Sequence, residues 1–67
     1  MELTATQKIY QGMTIILSHD PAAQLATGHD VVFMGEYKPD DMTEDDLRKM
    51  WELGWFECED SWAHYCR

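Results

Sequence analysis

Residues 42–67, MTEDDLRKMWELGWFECEDSWAHYCR, contain all three tryptophans and both cysteines of this 67-residue chain. Thr43 and the three acidic residues that follow it have the composition of a capped first helical turn. Apolar residues then recur at helical spacing up to Gly54, which is placed to end the helix in a left-handed conformation. The pattern predicts a helix over residues 44–53.

The remainder of this stretch predicts an antiparallel hairpin that closes the chain. Aromatic and apolar residues flank the segment 59–61, whose composition is that of a turn. With a three-residue loop, Cys58 lies opposite Trp62 on the face that we expect to form the core. Phe56 and His64 are the next pair on that face. The other face would carry Trp55, Glu57, Ala63 and Tyr65.

The N-terminal segment predicts a second amphipathic helix. Thr4 and Gln7 have the spacing of a capping box, and an apolar stripe follows at helical spacing. These signals predict a helix over residues 5–18. Gly12 lies inside it and costs about 1 kcal/mol relative to alanine, which is tolerable if a tryptophan packs closely there.

The segment after this helix predicts one turn and one strand. Asp20 and Pro21 end the helix and cap a short turn over residues 22–25, which Gly28 closes. The run Val31–Met34 predicts a strand, and its four consecutive apolar residues favour a central place in the sheet. Residues 36–42 contain a proline and two aspartates, and we expect an exposed connection there.

The predicted order of elements is α-β-α-β-β. The simplest arrangement of these elements is an α+β fold, with two helices packed on one face of a three-stranded antiparallel sheet. Residues 1–67 would form a single compact domain. A chain this short buries only roughly 60% of its unfolded surface, so its stability margin is small.

The net charge of −8 is concentrated in one part of the chain. Residues 30–60 hold eleven acidic residues and three basic ones, and the rest of the chain sums to zero. Such a surface repels nucleic acid and membranes and is suited to a basic protein surface. The alternative interpretation is that the charge serves solubility alone.

The carboxylates of this segment are the candidate partner-binding residues. A rigid array of carboxylates can imitate a run of phosphates and occupy a lysine- and arginine-lined channel that is meant for nucleic acid. Helix N-terminal charge optimisation is the alternative for residues 44–46. The predicted set is Asp40, Asp41, Glu44, Asp45, Asp46, Glu57, Glu59 and Asp60.

Metal binding is a weaker hypothesis, and we expect neither a metal nor a cofactor. Cys58, His64 and Cys66, with His29, are of the types that hold zinc. However, the chain has no closely spaced cysteine pair, and a cysteine in an apolar strand usually behaves as a small hydrophobe. We expect both cysteines to be reduced. A calcium loop over residues 41–52 is disfavoured, because position six is not glycine.

The sequence does not indicate an enzyme. It has no glycine-rich phosphate loop and no spacing that pairs a nucleophile with a base, and the pairs 19–20 and 29–30 (His-Asp) lack the further ligands of a phosphohydrolase. No signal peptide and no membrane span are predicted. We expect a cytoplasmic protein that is a monomer or a weak dimer.

Three motifs within residues 28–66 carry a resemblance to known proteins: GHDVVFMGEY, TEDDL and ELGWFECEDSWAHYC. Their arrangement resembles very small acidic proteins of bacteriophages and mobile elements, among them the anti-CRISPR proteins, which block access of a CRISPR effector complex to target DNA. The resemblance implies a protein partner with a basic DNA-binding groove, no cofactor and no turnover, in the cytoplasm of the host cell. A zinc-stabilised mini-domain and a small subunit of a larger phage assembly are the alternatives.

Overall fold

Two helices and four strands make up the fold in the computed structural model, which describes residues 2–66. The helices are α1 (Ala5–His19) and α2 (Glu44–Glu52), and the strands are β1 (Leu25–Thr27), β2 (Val31–Met34), β3 (Phe56–Cys58) and β4 (Ser61–Tyr65). A 3₁₀ turn, Pro39–Asp41, precedes α2. The α+β class is confirmed, and the predicted domain 1–67 extends one residue beyond the described range at each end.

The sheet is antiparallel with the strand order β1-β2-β4-β3. β2 lies between β1 and β4, which confirms the central place that its unbroken apolar run predicted. Within the β2–β4 ladder, Val32 pairs with His64 and Met34 pairs with Trp62. Both edge strands have only three residues, and short edges limit unwanted pairing with other chains.

The prediction of three strands is wrong, because residues 25–27, which were assigned to a turn and the segment after it, form the additional strand β1. All three residues of β1 are exposed. Because neither side of β1 is buried, its sequence does not need the alternation of apolar and polar residues by which a strand is recognised. The strand exists because its backbone pairs with β2. The amide of Gly28 donates to the carbonyl of Val31 at 2.8 Å, and the amide of Gly35 donates to Gln24 at 3.3 Å. The observed order is therefore α-β-β-α-β-β.

The hairpin between β3 and β4 has a two-residue loop instead of the predicted three. Glu59 and Asp60 form it, with φ angles of 53° and 62°. Two consecutive left-handed residues are the signature of a type I′ turn, whose twist matches the flanking strands. The amide of Asp60 donates to Oε2 of Glu57 at 3.0 Å, which adds a local contact within the hairpin.

The shorter loop changes which hairpin residues share a face. Cys58 pairs with Ser61 and Phe56 pairs with Ala63, so Phe56 and Cys58 lie on the face opposite Trp62. The predicted core face is therefore correct for Trp62 and His64, which are buried, and wrong for Phe56 and Cys58, which are half-buried. A register shift of one residue moves a side chain to the other face of a sheet.

The core forms between the two helices and one face of the sheet. It consists of Ile16, Val32, Met34, Met50, Leu53, Trp55 and Trp62. Trp55, which the sequence analysis assigned to the outer hairpin face, is only 1% exposed. That assignment is wrong because Trp55 precedes β3 and turns towards α1 instead. A single face of the sheet thus carries both helices, as predicted.

Trp55 packs directly on the glycine of α1. A Cβ atom built on Gly12 would lie 1.9 Å from Nε1 of Trp55. The same indole N–H donates to the carbonyl of Lys8 at 3.1 Å. The close approach of a tryptophan that would make Gly12 tolerable is confirmed.

Local capping signals define the helix ends as predicted. Thr4 and Gln7 form a reciprocal capping box at the start of α1. The Thr43 hydroxyl accepts from the amide of Asp46 at the start of α2. Gly54 follows α2 with a φ of 92°, a left-handed conformation that glycine adopts without strain. Each helix boundary lies within one residue of its predicted position.

Replacement of Gly12 by alanine should destabilise the protein, although alanine is the better helix former. The added methyl cannot coexist with the buried Trp55 ring, so we expect the free energy of unfolding to fall by about 3 kcal/mol. Urea denaturation followed by tryptophan fluorescence measures this change. Thr14→Ala, at an exposed position of α1, should change stability by less than about 0.5 kcal/mol. A Gly12→Ala variant as stable as wild type would contradict the packing described.

Asp60→Gly should stabilise the hairpin, since glycine adopts the left-handed conformation without a Cβ penalty. Asp60→Ala removes the same charge but keeps the Cβ atom. We expect the glycine variant to be more stable than the alanine variant by about 1 kcal/mol. Thermal unfolding of the two variants side by side gives the difference, and equal melting temperatures would argue against a left-handed residue 60.

Candidate partner-binding surface

The acidic residues collect at the end of the sheet where β2 ends and β4 begins. We call this region the acidic end. It consists of the start of α2, the loop of residues 36–41, the β3–β4 turn and Asp20. Its carboxylates belong to Asp20, Glu36, Asp40, Asp41, Glu44, Asp45, Asp46, Glu57, Glu59 and Asp60. The contacts described next join the loop to the turn and the start of α2 to the end of α1.

A backbone hydrogen bond joins the loop of residues 36–41, which we call the acidic loop, to the β3–β4 turn. The amide of Tyr37 donates to the carbonyl of Asp60 at 2.7 Å. The Tyr37 ring meets the buried Trp62 ring edge-on, with their centroids 4.7 Å apart, and Trp51 lies 5.3 Å from Trp62. These contacts hold the loop against the hairpin turn.

A second contact joins the start of α2 to the end of α1. Nε2 of His19 lies 2.7 Å from Oδ2 of Asp46. The imidazole lies in the last turn of α1, and the carboxylate lies in the first turn of α2, where its negative charge complements the helix dipole. Asp46 is therefore engaged within the fold. No local sequence pattern predicts this pair, whose members are 27 residues apart.

Most of the other predicted carboxylates face solvent. The exposed members of the set are Asp40, Asp41, Glu44, Asp45, Glu57, Glu59 and Asp60. Two neighbours were not included in the predicted set. Asp20, whose Oδ1 accepts from the amide of Ala22 at 3.2 Å, was interpreted only as a cap, and Glu36 only as part of a connection.

Lys38 is the single lysine or arginine within residues 36–46. Its Nζ lies 2.9 Å from Oε2 of Glu36. The hydrogen bond and charge of Glu36, and then the charges of Asp41 and Asp20, raise the pKa of Lys38 above its ordinary value. The direction of this shift reports a negative local field, which would also attract a cationic side chain of another protein.

A cleft of about 600 Å³ opens beside these carboxylates, between the end of α1, β1 and the acidic loop. Asp20, Lys38 and Asp41 line it together with apolar residues that include Met34 and Trp62. Trp62 is fully buried, and its indole N–H has no hydrogen-bond partner within residues 2–66. The accessible apolar residues of its lining include Ala22, Ala26 and Phe33, so the cleft combines apolar and acidic side chains.

The four residues considered for zinc do not come together. Cys58 and His64 lie on opposite faces of the sheet, while His29 and Cys66 are exposed. The ring nitrogens of His64 lie 2.7 Å from the carbonyl oxygen of Tyr65 and 2.8 Å from that of Leu53. No group of three or more histidine, cysteine or acidic side chains within residues 2–66 is arranged to hold a metal ion.

Neither helix in residues 2–66 has both the length and the apolar character needed to cross a membrane. No protein-family model matches this chain, and neither does any curated protein or solved structure.

The His19–Asp46 contact should contribute measurably to stability. We expect Asp46→Ala to lower the free energy of unfolding by about 1 kcal/mol, because it removes both this hydrogen bond and a favourable helix-dipole interaction. Asp45→Ala removes a neighbouring carboxylate that is exposed, and should cost less than about 0.5 kcal/mol. Urea denaturation at pH 7 compares the two variants. Equal losses would show that the pair has no special role.

Proposed function

We propose that the protein is a small acidic interaction protein of the phage anti-CRISPR type. It binds the basic nucleic-acid-binding surface of an effector complex in the host cytoplasm and blocks binding of target DNA. The observation that supports this most is the backbone hydrogen bond from Tyr37 to Asp60, which joins the loop of residues 36–41 to the β3–β4 turn and so brings together acidic residues from distant parts of the sequence. No catalytic turnover and no cofactor are part of the proposal.

Carboxylates held on a folded backbone can compete with DNA for the same lysines and arginines. B-DNA presents about one negative charge per 1.7 Å of helix axis and binds basic surfaces largely through this charge. The acidic end likewise presents exposed carboxylates that the Tyr37–Asp60 and His19–Asp46 contacts hold in place. Electrostatic steering makes such an encounter fast, and added salt weakens it.

The cleft supplies a second means of recognition. An arginine or lysine of the partner that enters it would meet Asp20 and Asp41 next to an apolar wall. Such a residue keeps its aliphatic stem against apolar surface while its charged head contacts carboxylates. Arginine is favoured over lysine, because its planar guanidinium bonds a carboxylate in a bidentate geometry.

Solubility alone explains a high net charge but not its distribution. Like charges that are dispersed over a surface give the same net charge with less mutual repulsion. Here the carboxylates are crowded, and Lys38 alone offsets them within the acidic loop. Crowding of this kind is favourable once a cationic partner is bound, and this supports a binding role.

A second candidate function is that of a small subunit in a larger phage assembly. The exposed aromatic side of the hairpin favours it: Tyr65 is 60% exposed, and its ring lies 5.0 Å from that of Phe56. Among residues 2–66, no contact favours the zinc-stabilised mini-domain.

The proposed inhibition can be tested by gel shift. Purified CRISPR effector complexes and several unrelated DNA-binding proteins are incubated with their target DNA, with and without this protein, over a salt series. We expect the shifted band of at least one effector to disappear at low salt and to return as the salt concentration rises. Unchanged bands for every effector would exclude DNA competition for the complexes tested.

Two double variants with the same net charge separate a local surface from a general charge effect. Asp40→Lys with Glu59→Lys reverses two exposed charges at the acidic end. Glu2→Lys with Glu52→Lys reverses two exposed charges elsewhere. We expect the first variant to lose inhibition by at least about tenfold and the second to retain it. Equal losses would indicate that net charge, and not the acidic end, is responsible.

A further inference from the structure

One face of the sheet carries no helix-packed core. Residues that pair across antiparallel strands share a face, and so do residues two apart along a strand. By this rule Ala26, Phe33, Ala63 and Phe56 form one row across all four strands. We call this side the outer face, and its full membership is Ala26, Val31, Phe33, Phe56, Cys58, Ser61, Ala63 and Tyr65.

Both helices pack against the opposite side. Val32, Met34 and Trp62 project there and join Ile16 of α1 and Met50 of α2 in the core. In such a two-layer arrangement, the side chains of an antiparallel sheet ordinarily alternate, apolar towards the core and polar towards water. The outer face should accordingly be polar.

The outer face is instead almost wholly apolar. It contains no charged residue, and Ser61 and the phenol of Tyr65 supply its only polar side-chain groups. Ala63 at its centre is fully buried, while the rings of Phe33 and Phe56 are half-buried. A contiguous apolar patch that contains aromatic residues is typical of an interaction surface.

We propose that the outer face is the anchoring surface for a protein partner whose own apolar patch is bordered by lysine and arginine residues. This inference rests on the proposed function for the basic character of the partner. The inference adds the location of the contact to the proposed function. Aromatic side chains of the outer face form the centre of the contact, and carboxylates form its border.

The size of the face requires the contact to extend beyond it. A sheet of four strands, the longest of which has five residues, covers at most about 300 Å², from the spacing of strands and the rise per residue. A stable interface buries about 800 Å² on each partner. The remaining area has to come from the surroundings of the face, which are acidic: Glu59 and Asp60 border one end of it, and Asp30 precedes β2 at the other.

The same charges distinguish a basic partner from a second copy of this chain. Two copies that meet through their outer faces would bring two charges of −8 together and place like charges at the border. A partner with a basic border gains attraction where a second copy meets repulsion. Apolar burial at the centre then slows dissociation, while the acidic border speeds association.

A peptide titration followed by ¹H–¹⁵N NMR tests this complementarity without a known partner. The probe is a helical peptide of leucine and lysine with leucine along one face. Its controls are a scrambled peptide of the same composition and a peptide with glutamate in place of lysine. We expect the first peptide to shift the amide signals of β2 and β4, with at least about tenfold weaker binding for each control.

A matched pair of variants locates the anchor. Tyr65→Ser removes the exposed ring on the outer face, and Tyr10→Ser removes a ring of similar exposure, 69% against 60%, on α1. We expect the Tyr65 variant to bind the leucine–lysine peptide at least about tenfold more weakly and the Tyr10 variant to bind as wild type. Unchanged circular dichroism confirms that both variants fold.

Three results would overturn the inference. The first is that the leucine–lysine peptide leaves the amide signals of the outer-face residues unshifted. The second is that the glutamate peptide binds as tightly as the leucine–lysine peptide. The third is a concentration-dependent dimer in sedimentation that Tyr65→Ser abolishes. The last result would assign the face to a second copy. The gel shift keeps the two proposals separate. An effector inhibited equally by wild type and Tyr65→Ser overturns the anchoring surface alone. Effectors that never respond count against the proposed function, and the peptide titration then tests the outer face by itself.

Discussion

The rest of the structure depends on the packing of Trp55 against Gly12. Trp55 follows the glycine that ends α2 and precedes β3, and its indole donates to the carbonyl of Lys8 in α1. One side chain therefore fixes two helices and the hairpin relative to each other. In a domain this small, with only about 60% of its unfolded surface buried, few other contacts are available to replace it. The conformational cost of a helical glycine is offset by this burial.

This arrangement also determines where the carboxylates go. With α1 fixed on the sheet, its C-terminal His19 meets Asp46 in the first turn of α2. The bond from Tyr37 to Asp60 fixes the adjacent loop on the hairpin turn. Like charges held in this way repel one another in the free protein, and the folded backbone resists that repulsion. A cationic partner then meets a surface that is already ordered, so less conformational entropy is lost on binding.

The proposed surfaces adjoin at the hairpin turn. Glu59 and Asp60 belong to the acidic end and also close the strands whose outward residues form the outer face. Long-range attraction by the carboxylates and short-range burial of rings such as Tyr65 act at different distances. The first governs the encounter and the second the lifetime of the complex. A single contact that spans both would explain why the outward side of the hairpin is apolar while its turn is acidic.

The sequence by itself determined the features that depend on neighbouring residues. The caps at Thr4 and Thr43, the left-handed Gly54 and the central strand Val31–Met34 each follow from a pattern within a few residues, and the structure has all of them. The candidate carboxylates were likewise evident from composition. Local signals suffice in these cases because capping, helical periodicity and β-branched character act within one turn or one strand.

Only the tertiary structure decided the rest, because those features depend on pairing between distant segments. β1 is a strand solely through its bonds to β2, and the two-residue turn set the register that moved Phe56 and Cys58 to the outer face. Register depends on which residues pair across strands, and a shift of one position reverses every side chain. The His19–Asp46 contact and the gathering of acidic segments at one end arose in the same way, from chain folding that brings together residues the sequence keeps apart.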